Sequence, residues 1–285
     1  DRLEKERRRV NTHSDVQAPS CEQGTSKLSQ TDASALSTTL IRGLEVLQCF
    51  TDKDAALSNA ELARRLDMNR PAVSRLCKTL LHVGYLRRDA NGAFRLAPNL
   101  LTLIYPLLAA MPWRHEATDM MEEVAQLTGG SMTLSIMSDD RFVQIKTVGV
   151  KDQYPHVPEI GLNGPLLRSS TGRALLSLLD EAQLREKLES LAEHDTETSD
   201  EARELSRQGI ARCKSEGFCV SYGEWRSNIV AAATPLGRTA DGLLVAMACG
   251  MPSYRVVEGK FESSIGPRLA NVAEALRAKG LFQRD

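Results

Sequence analysis

Catalytic and metal-binding patterns are what this chain lacks. Its five histidines, at 13, 82, 115, 156 and 194, are scattered, and none shows the H-x-x-x-H spacing of a helical zinc site. There is no Walker loop and no dinucleotide fingerprint, and Gly129-Gly130-Ser131 reads as a helix stop. The six cysteines (21, 49, 77, 213, 219, 249) include no C-x-x-C pair. Cys49, Cys77 and Cys249 fall inside apolar patterns, which suits a reduced cytoplasmic chain, and Cys213 with Cys219 reads as buried thiols rather than a metal site. No apolar run approaches the ~18 residues of a membrane span, and no signal-peptide pattern opens the chain. Catalysis needs a nucleophile beside a base, or a metal cluster, and neither is evident. The expectation is therefore no enzyme, no metal, no cofactor and no membrane. The best enzymatic competitor is a Ser/Lys protease or small hydrolase fused behind the first half of the chain, and the second half offers no evident Ser/Lys pair.

The 285 residues suit two domains, and the net charge of −1 is unevenly spread. Residues 38–98 hold ten Lys and Arg against six Asp and Glu, net +4, and residues 1–37 hold six of each. Residues 99–285 hold twenty against twenty-five, net −5, which speaks against a packaging protein basic throughout. Residues 1–37 are polar and read as a disordered tail, with Arg7 to Arg9 as a solvated basic arm or, as the lesser alternative, a contact to nucleic-acid phosphates.

The basic segment has the order of a winged helix-turn-helix. An apolar helix carries Leu40, Leu44 and Leu47, and Ser58-Asn59-Ala60-Glu61 is a capping box opening a short helix through Leu66. Asp67-Met68 makes the turn, Asn69 is placed to cap the next helix, and Pro71 sits in its first turn, where a missing N–H costs nothing. That helix, Arg70 to Leu80, puts Val73, Leu76, Cys77 and Leu80 on one side and Pro71, Ser74, Arg75 and Lys78 on the other. Asn91-Gly92 then turns a hairpin between Tyr85–Asp89 and Ala93–Leu96. A short helix with a small, basic outer face suits a major groove. The candidate DNA contacts are Arg70, Pro71, Ser74, Arg75 and Lys78, with Arg87 and Arg88 on the wing.

The acidic remainder reads as a linker helix around Leu100–Leu108 (residues 99–112), interrupted by Pro106 and Pro112, and an α+β domain over 113–285. The expected order is a helix from Trp113 to Leu127, strands at Ser131–Met137 and Arg141–Val148, and a long loop from Lys151 to Leu167. Helices at Gly172–Leu179, Glu181–Leu191 and Glu201–Glu216 follow, then strands at Phe218–Tyr222, Asn228–Pro235 and Gly242–Gly250, and a final helix from Val256 to Lys279. Ser169, Ser170 and Thr171 precede a helix start, where unpaired N–H groups and the helix dipole favour an anion; an ordinary hydroxyl cap explains the same residues. Arg173 suits either a ligand carboxylate or a surface salt bridge.

Arg75-Leu76 in mid-helix, the Ser-Ser-Thr-Gly-Arg-Ala run at 169–174, Glu216-Gly217-Phe218 leading to Gly223-Glu224, and Ile229 to Pro235 together resemble the IclR family of bacterial transcription regulators, over about residues 38 to 280. The resemblance implies a winged helix-turn-helix joined by a linker helix to a GAF-like effector-binding domain. It implies double-stranded operator DNA and a small organic, often aromatic, carboxylic acid as partners, and a homodimer or dimer of dimers. It also implies that Ser221, Ile229, Met247 and Cys249 line the effector pocket with Ser169, Ser170 and Thr171. Trp225-Arg226-Ser227 replaces a longer, glycine-containing stretch of the family, which loosens the alignment of Ser221 and Ile229. An acid at the helix start, facing a strand lined by Met247 and Cys249, is expected to change the spacing of paired recognition helices.

Overall fold

A computed structural model describes residues 36–149, 159–194 and 198–283, so the tail expected over 1–37 lies outside it except for its last two residues. The chain forms two compact units, the first ending at Pro106 and the second starting at Leu107.

In the first unit, α1 (Thr38–Gln48) starts on Ser37, whose hydroxyl accepts from Leu40 N at 3.4 Å. Its buried side chain is Val46; of the expected apolar series, Leu47 packs half-buried against the same core, whereas Leu40 and Leu44 are 63% and 51% exposed. The apolar spacing is there, but only its C-terminal member reaches the core. In α2 (Asn59–Arg65) the Ser58 hydroxyl accepts from Glu61 N at 3.1 Å. The second half of the expected capping box is not made, because Arg64 and Arg65 take the Glu61 carboxylate at 2.6 and 2.9 Å. Arg65 also reaches Asp54 at 3.0 Å and the Cys49 carbonyl at 3.0 Å, tying α2 to the end of α1.

Hydrogen bonds from those two arginines hold the Glu61 carboxyl at about 2 instead of the ordinary 4.5. A depressed folded-state value means this stabilisation is whole above pH 4.5 and is lost as pH falls toward 2. Glu61→Gln is expected to lose less stability than wild type across that window, followed by circular dichroism melts. Parallel acid losses in the two proteins would show that the network contributes nothing.

Asp67 takes the left-handed turn position (φ 49°), as expected. Asn69 Oδ1 accepts from Ala72 N at 2.9 Å to start α3 (Arg70–His82), with Pro71 in its first turn. The hairpin pairs β1 (Leu86–Arg88) with β2 (Phe94–Leu96), Arg88 opposite Phe94. Its turn is a three-residue loop: Gly92 N bonds Asp89 O at 3.0 Å and Gly92 alone is left-handed (φ 80°). Asp89 Oδ1 braces it by accepting from Asn91 N and Ala93 N, both at 3.0 Å. Leu57 adds an unforeseen third strand position, exchanging two backbone hydrogen bonds with Phe94. The core joins Val46, Leu57, Leu62, Val73, Cys77, Leu80, Leu86 and Phe94.

The boundary between units falls inside α4 (Leu100–Ala109), which continues through Pro106 and buries no residue. The second unit is built on a six-stranded antiparallel sheet in the order β5-β4-β3-β8-β7-β6. Its strands are β3 (Ser131–Ser138), β4 (Arg141–Val148), β5 (Asn163–Pro165), β6 (Cys219–Tyr222), β7 (Ile229–Arg238) and β8 (Leu244–Pro252). Part of the expected Lys151–Leu167 loop lies outside the described residues, and part of the rest is strand β5. The expected helix from Trp113 divides at Ala117 into α5 (Trp113–Glu116) and α6 (Thr118–Thr128), and left-handed Gly129 (φ 69°) ends it.

One face of the sheet packs Met132, Leu134, Val245, Met247 and Cys249 against α6 and α10 (Gly266–Ala278). The expected C-terminal helix is shortened to α10, preceded by a π-helical turn at Phe261–Ile265 and left-handed Gly259 (φ 72°). The other face carries α7 (Ser170–Leu176), α8 (Glu181–His194) and α9 (Asp200–Glu216), meeting Phe142, Cys219, Ala233, Ala246 and Ala248.

Candidate nucleic-acid interface and ligand pocket

In α3, Val73, Cys77 and Leu80 are buried, so the opposite side faces solvent with Arg70, Pro71, Arg75 and Lys78 exposed and Ser74 half-buried. Among the described residues none of Arg70, Arg75, Lys78 and Arg87 makes an ion pair, which leaves four cations available to phosphates and base edges. Arg88 is more constrained: it donates to Gly92 O at 2.5 Å and lies 4.4 Å over the Phe94 ring. Strand register sets Arg87 opposite Arg95, a like-charge pair that costs stability unless an anion offsets it. Asp89 offsets one partner, binding Arg95 at 3.1 Å, and Arg95 in turn holds the Asp89 carboxyl below its usual range. Arg95 belongs to this surface and was missed, since only the register places it beside Arg87.

The second unit divides the seven expected effector residues. Met247 and Cys249 point away from α7 into the core beneath α6 and α10, with Cys249 Sγ 3.6 Å from Thr128 Oγ1. The expected pocket lined by these two residues and facing the α7 start is therefore corrected. In β8 the residues opposite α7 are Ala246, Ala248 and Gly250, one position out of register with the expectation. Ile229 and Ser221 do share the α7 face, Ser221 sitting opposite Ala231.

At the α7 start Ser169 is an ordinary cap, its hydroxyl accepting from Gly172 N at 3.0 Å and donating to Pro165 O at 2.6 Å. Gly172 makes room for backbone, not ligand: a Cβ there would lie 2.2 Å from Leu166 O. Arg173, 2% exposed, donates to Leu167 O at 3.0 Å and to Glu224 Oε1 at 3.4 Å, an ion pair that is buried where the sequence suggested one at the surface. Ser170 and Thr171 are both buried, and the Ser170 hydroxyl has no hydrogen-bond partner.

Sequence reading missed three further groups of this kind. Ser135 Oγ, Gln144 Oε1 and Thr147 Oγ1 are also buried without partners, and strand register sets all three on the α7 face. Gln144 lies opposite Ser135, Thr147 opposite Thr133, and Ala246, Ala248, Ala231, Ala233 and Gly250 supply a floor of small residues. The connection after β6 returns over this face: Trp225 meets Phe142 edge-on at 5.3 Å, beside Gly164. Buried polar atoms left bare are uncommon in native proteins and mark a place for water or ligand.

Residues 39–90 match the IclR helix-turn-helix domain, and residues 106–278 match the C-terminal domain of bacterial IclR transcriptional regulators. The chain belongs to the IclR family. An IclR-family regulator from Brucella abortus, solved by crystallography, is 31% identical with a TM-score of 0.77, covering 91% of this chain and 97% of that one. The Pca regulon regulatory protein of Pseudomonas putida is 26% identical over 235 residues, 81% of this chain and 80% of its own length. An IclR homologue from Microbacterium hydrocarbonoxydans, solved with 4-hydroxybenzoate, shares the fold with a TM-score of 0.66 at 21% identity, covering 85% and 98%.

These IclR relatives are transcription regulators rather than enzymes, and the first unit of this chain is the DNA-binding domain of that family. Among the described residues of this IclR member, no cluster of His, Cys, Asp or Glu could hold a metal, and no helix is long and apolar enough to cross a membrane. None of its five described cysteines is in a disulfide, and all five are buried.

Proposed function

We propose that this IclR-family regulator binds a pseudo-palindromic operator as a dimer and responds to a small aromatic carboxylic acid held on the α7 face of its C-terminal sheet. The observation that carries the ligand reading is the set of bare, buried polar atoms of Ser135, Gln144 and Thr147 beside a small-residue floor on the face that α7 covers. Such a site takes a flat apolar body with polar ends. Thr171, Ser221 and Ile229 remain in its lining, while Ser169 serves as a cap. The 4-hydroxybenzoate bound by the Microbacterium homologue sets the first probe.

Dimerisation is supported by α4, an apolar helix exposing Leu101, Leu103, Ile104 and Tyr105, and by the exposed Leu40 and Leu44 of α1. One winged helix touches too few base pairs for operator specificity, and a two-fold pair reads two half-sites. Regulation requires unequal acid affinity in the DNA-competent and DNA-incompetent forms, and a coupling of roughly 1–3 kcal/mol suffices. Arg114 supports a connection between pocket and linker: it donates to Ile145 O, next to Gln144, and to Leu108 O in α4, both at 3.0 Å.

The test combines sedimentation with operator binding followed by fluorescence anisotropy, with and without aromatic acids. A dimer on a two-fold site, with affinity changed at least fivefold by an acid, is the expected result; Ile104→Glu is expected to give monomers with weak operator binding. A wild-type monomer on and off DNA, or operator binding indifferent to every acid, overturns the reading.

A further inference from the structure

We propose that Ser135 and Gln144 form a subsite for a hydroxyl substituent, so that the effector is a hydroxylated aromatic acid rather than a bare one. The inference rests on the reading that the α7 face holds the effector, and it concerns which acid fits.

Ser135 is fully buried and Gln144 is 5% exposed, and register makes them direct neighbours on β3 and β4. Both Ser135 Oγ and Gln144 Oε1 lack partners. An amide oxygen only accepts hydrogen bonds, whereas a serine hydroxyl both donates and accepts. A carboxylate brings acceptors alone and leaves Gln144 Oε1 bare. A hydroxyl group serves both, donating to Gln144 and accepting from Ser135. The β8 residue opposite Ser135 is Ala246, one of the smallest side chains a strand can present.

The next row of the same face carries Thr147 opposite Thr133, with Ala248 beyond it. Two residues along β3 separate the rows, roughly 7 Å, close to the span between the substituents of a para-disubstituted ring. A hydroxyl at Ser135 and Gln144 thus leaves the acid end within the reach of Thr147, whose hydroxyl also lacks a partner. Sites built to hydrogen-bond a ligand hydroxyl reject the analogue without it strongly, because its absence leaves the buried polar groups unpaired.

The experiment is titration calorimetry on the full-length protein with benzoate, 3-hydroxybenzoate and 4-hydroxybenzoate, for wild type, Gln144→Met and Ser135→Ala. Wild type is expected to bind one of the hydroxylated acids at least tenfold more tightly than benzoate. Gln144→Met should reduce that ratio to about threefold or less while keeping or improving benzoate affinity, and Ser135→Ala should reduce it in the same direction. Melting curves of the unliganded variants verify folding, and Gln144→Met is expected to melt no lower than wild type because it removes a bare buried acceptor. Equal binding of hydroxylated and unsubstituted acids, or a preference that survives both substitutions, overturns the subsite and leaves the pocket standing. No heat with any of the three acids in wild type overturns the subsite together with the aromatic-acid reading of the pocket.

Discussion

Arg75→Ala is expected to weaken specific operator binding by about 1–3 kcal/mol, roughly five- to 150-fold, with the fold intact. Arg75 stands in the middle of α3 on the side opposite Val73, Cys77 and Leu80, exposed and without an ion pair among the described residues. Its guanidinium is therefore available to fork onto a guanine edge, and no internal contact is lost when it is removed. Removal should also relax sequence preference at one position of each half-site, unlike loss of the phosphate-type cation Lys78, which should weaken all sequences alike and reduce the salt dependence. Anisotropy titrations against the operator and single-base variants read both effects. Wild-type affinity in a variant that melts normally would show that α3 does not read the operator through this residue.

The largest expected loss of stability follows from Gly172→Ala. The added Cβ would lie 2.2 Å from Leu166 O and 2.3 Å from Leu166 Cα, and backbone cannot rotate away as a side chain does. Either α7 or the segment before it must shift, which strains the Arg173 bond to Leu167 O and the packing of Ala174 to Leu176. A cost of about 3 kcal/mol is expected, and on the order of 10 °C in melting temperature for a domain of this size. Calorimetry should place the loss in the transition of the second unit, and the response to acid should weaken with it. An unchanged melting profile would contradict the packing of α7 described above.

Signals that act over three or four residues were legible directly. Ser58 and Asn69 cap the helices they were expected to cap, Asp67 takes the left-handed turn, and Gly129 ends α6, because each depends on local hydrogen bonds and dihedral sterics. The basic outer face of α3 followed in the same way from helical periodicity. The effector pocket was only partly legible. Residues 244–249 of β8 are buried on both faces, so their sequence shows no polar alternation from which to choose a face, and a one-residue slip put Met247 and Cys249 in the wrong core. Leu40 and Leu44 gave a sound helical spacing but no sign of which side Val46 would bury.

What the sequence alone determined, then, is the order of elements, their caps and turns, the charge of the DNA-reading helix and the family resemblance. The tertiary structure decided which side of each buried strand meets α7, the pairing of Arg173 with Glu224 fifty-one positions away, and the placing of Ser135, Gln144 and Thr147 on one face with their polar atoms unpaired. The physical reason is range: caps, turns and periodicity are settled by neighbours along the chain, whereas strand facing, buried ion pairs and pocket linings are settled by packing between segments that the sequence keeps far apart.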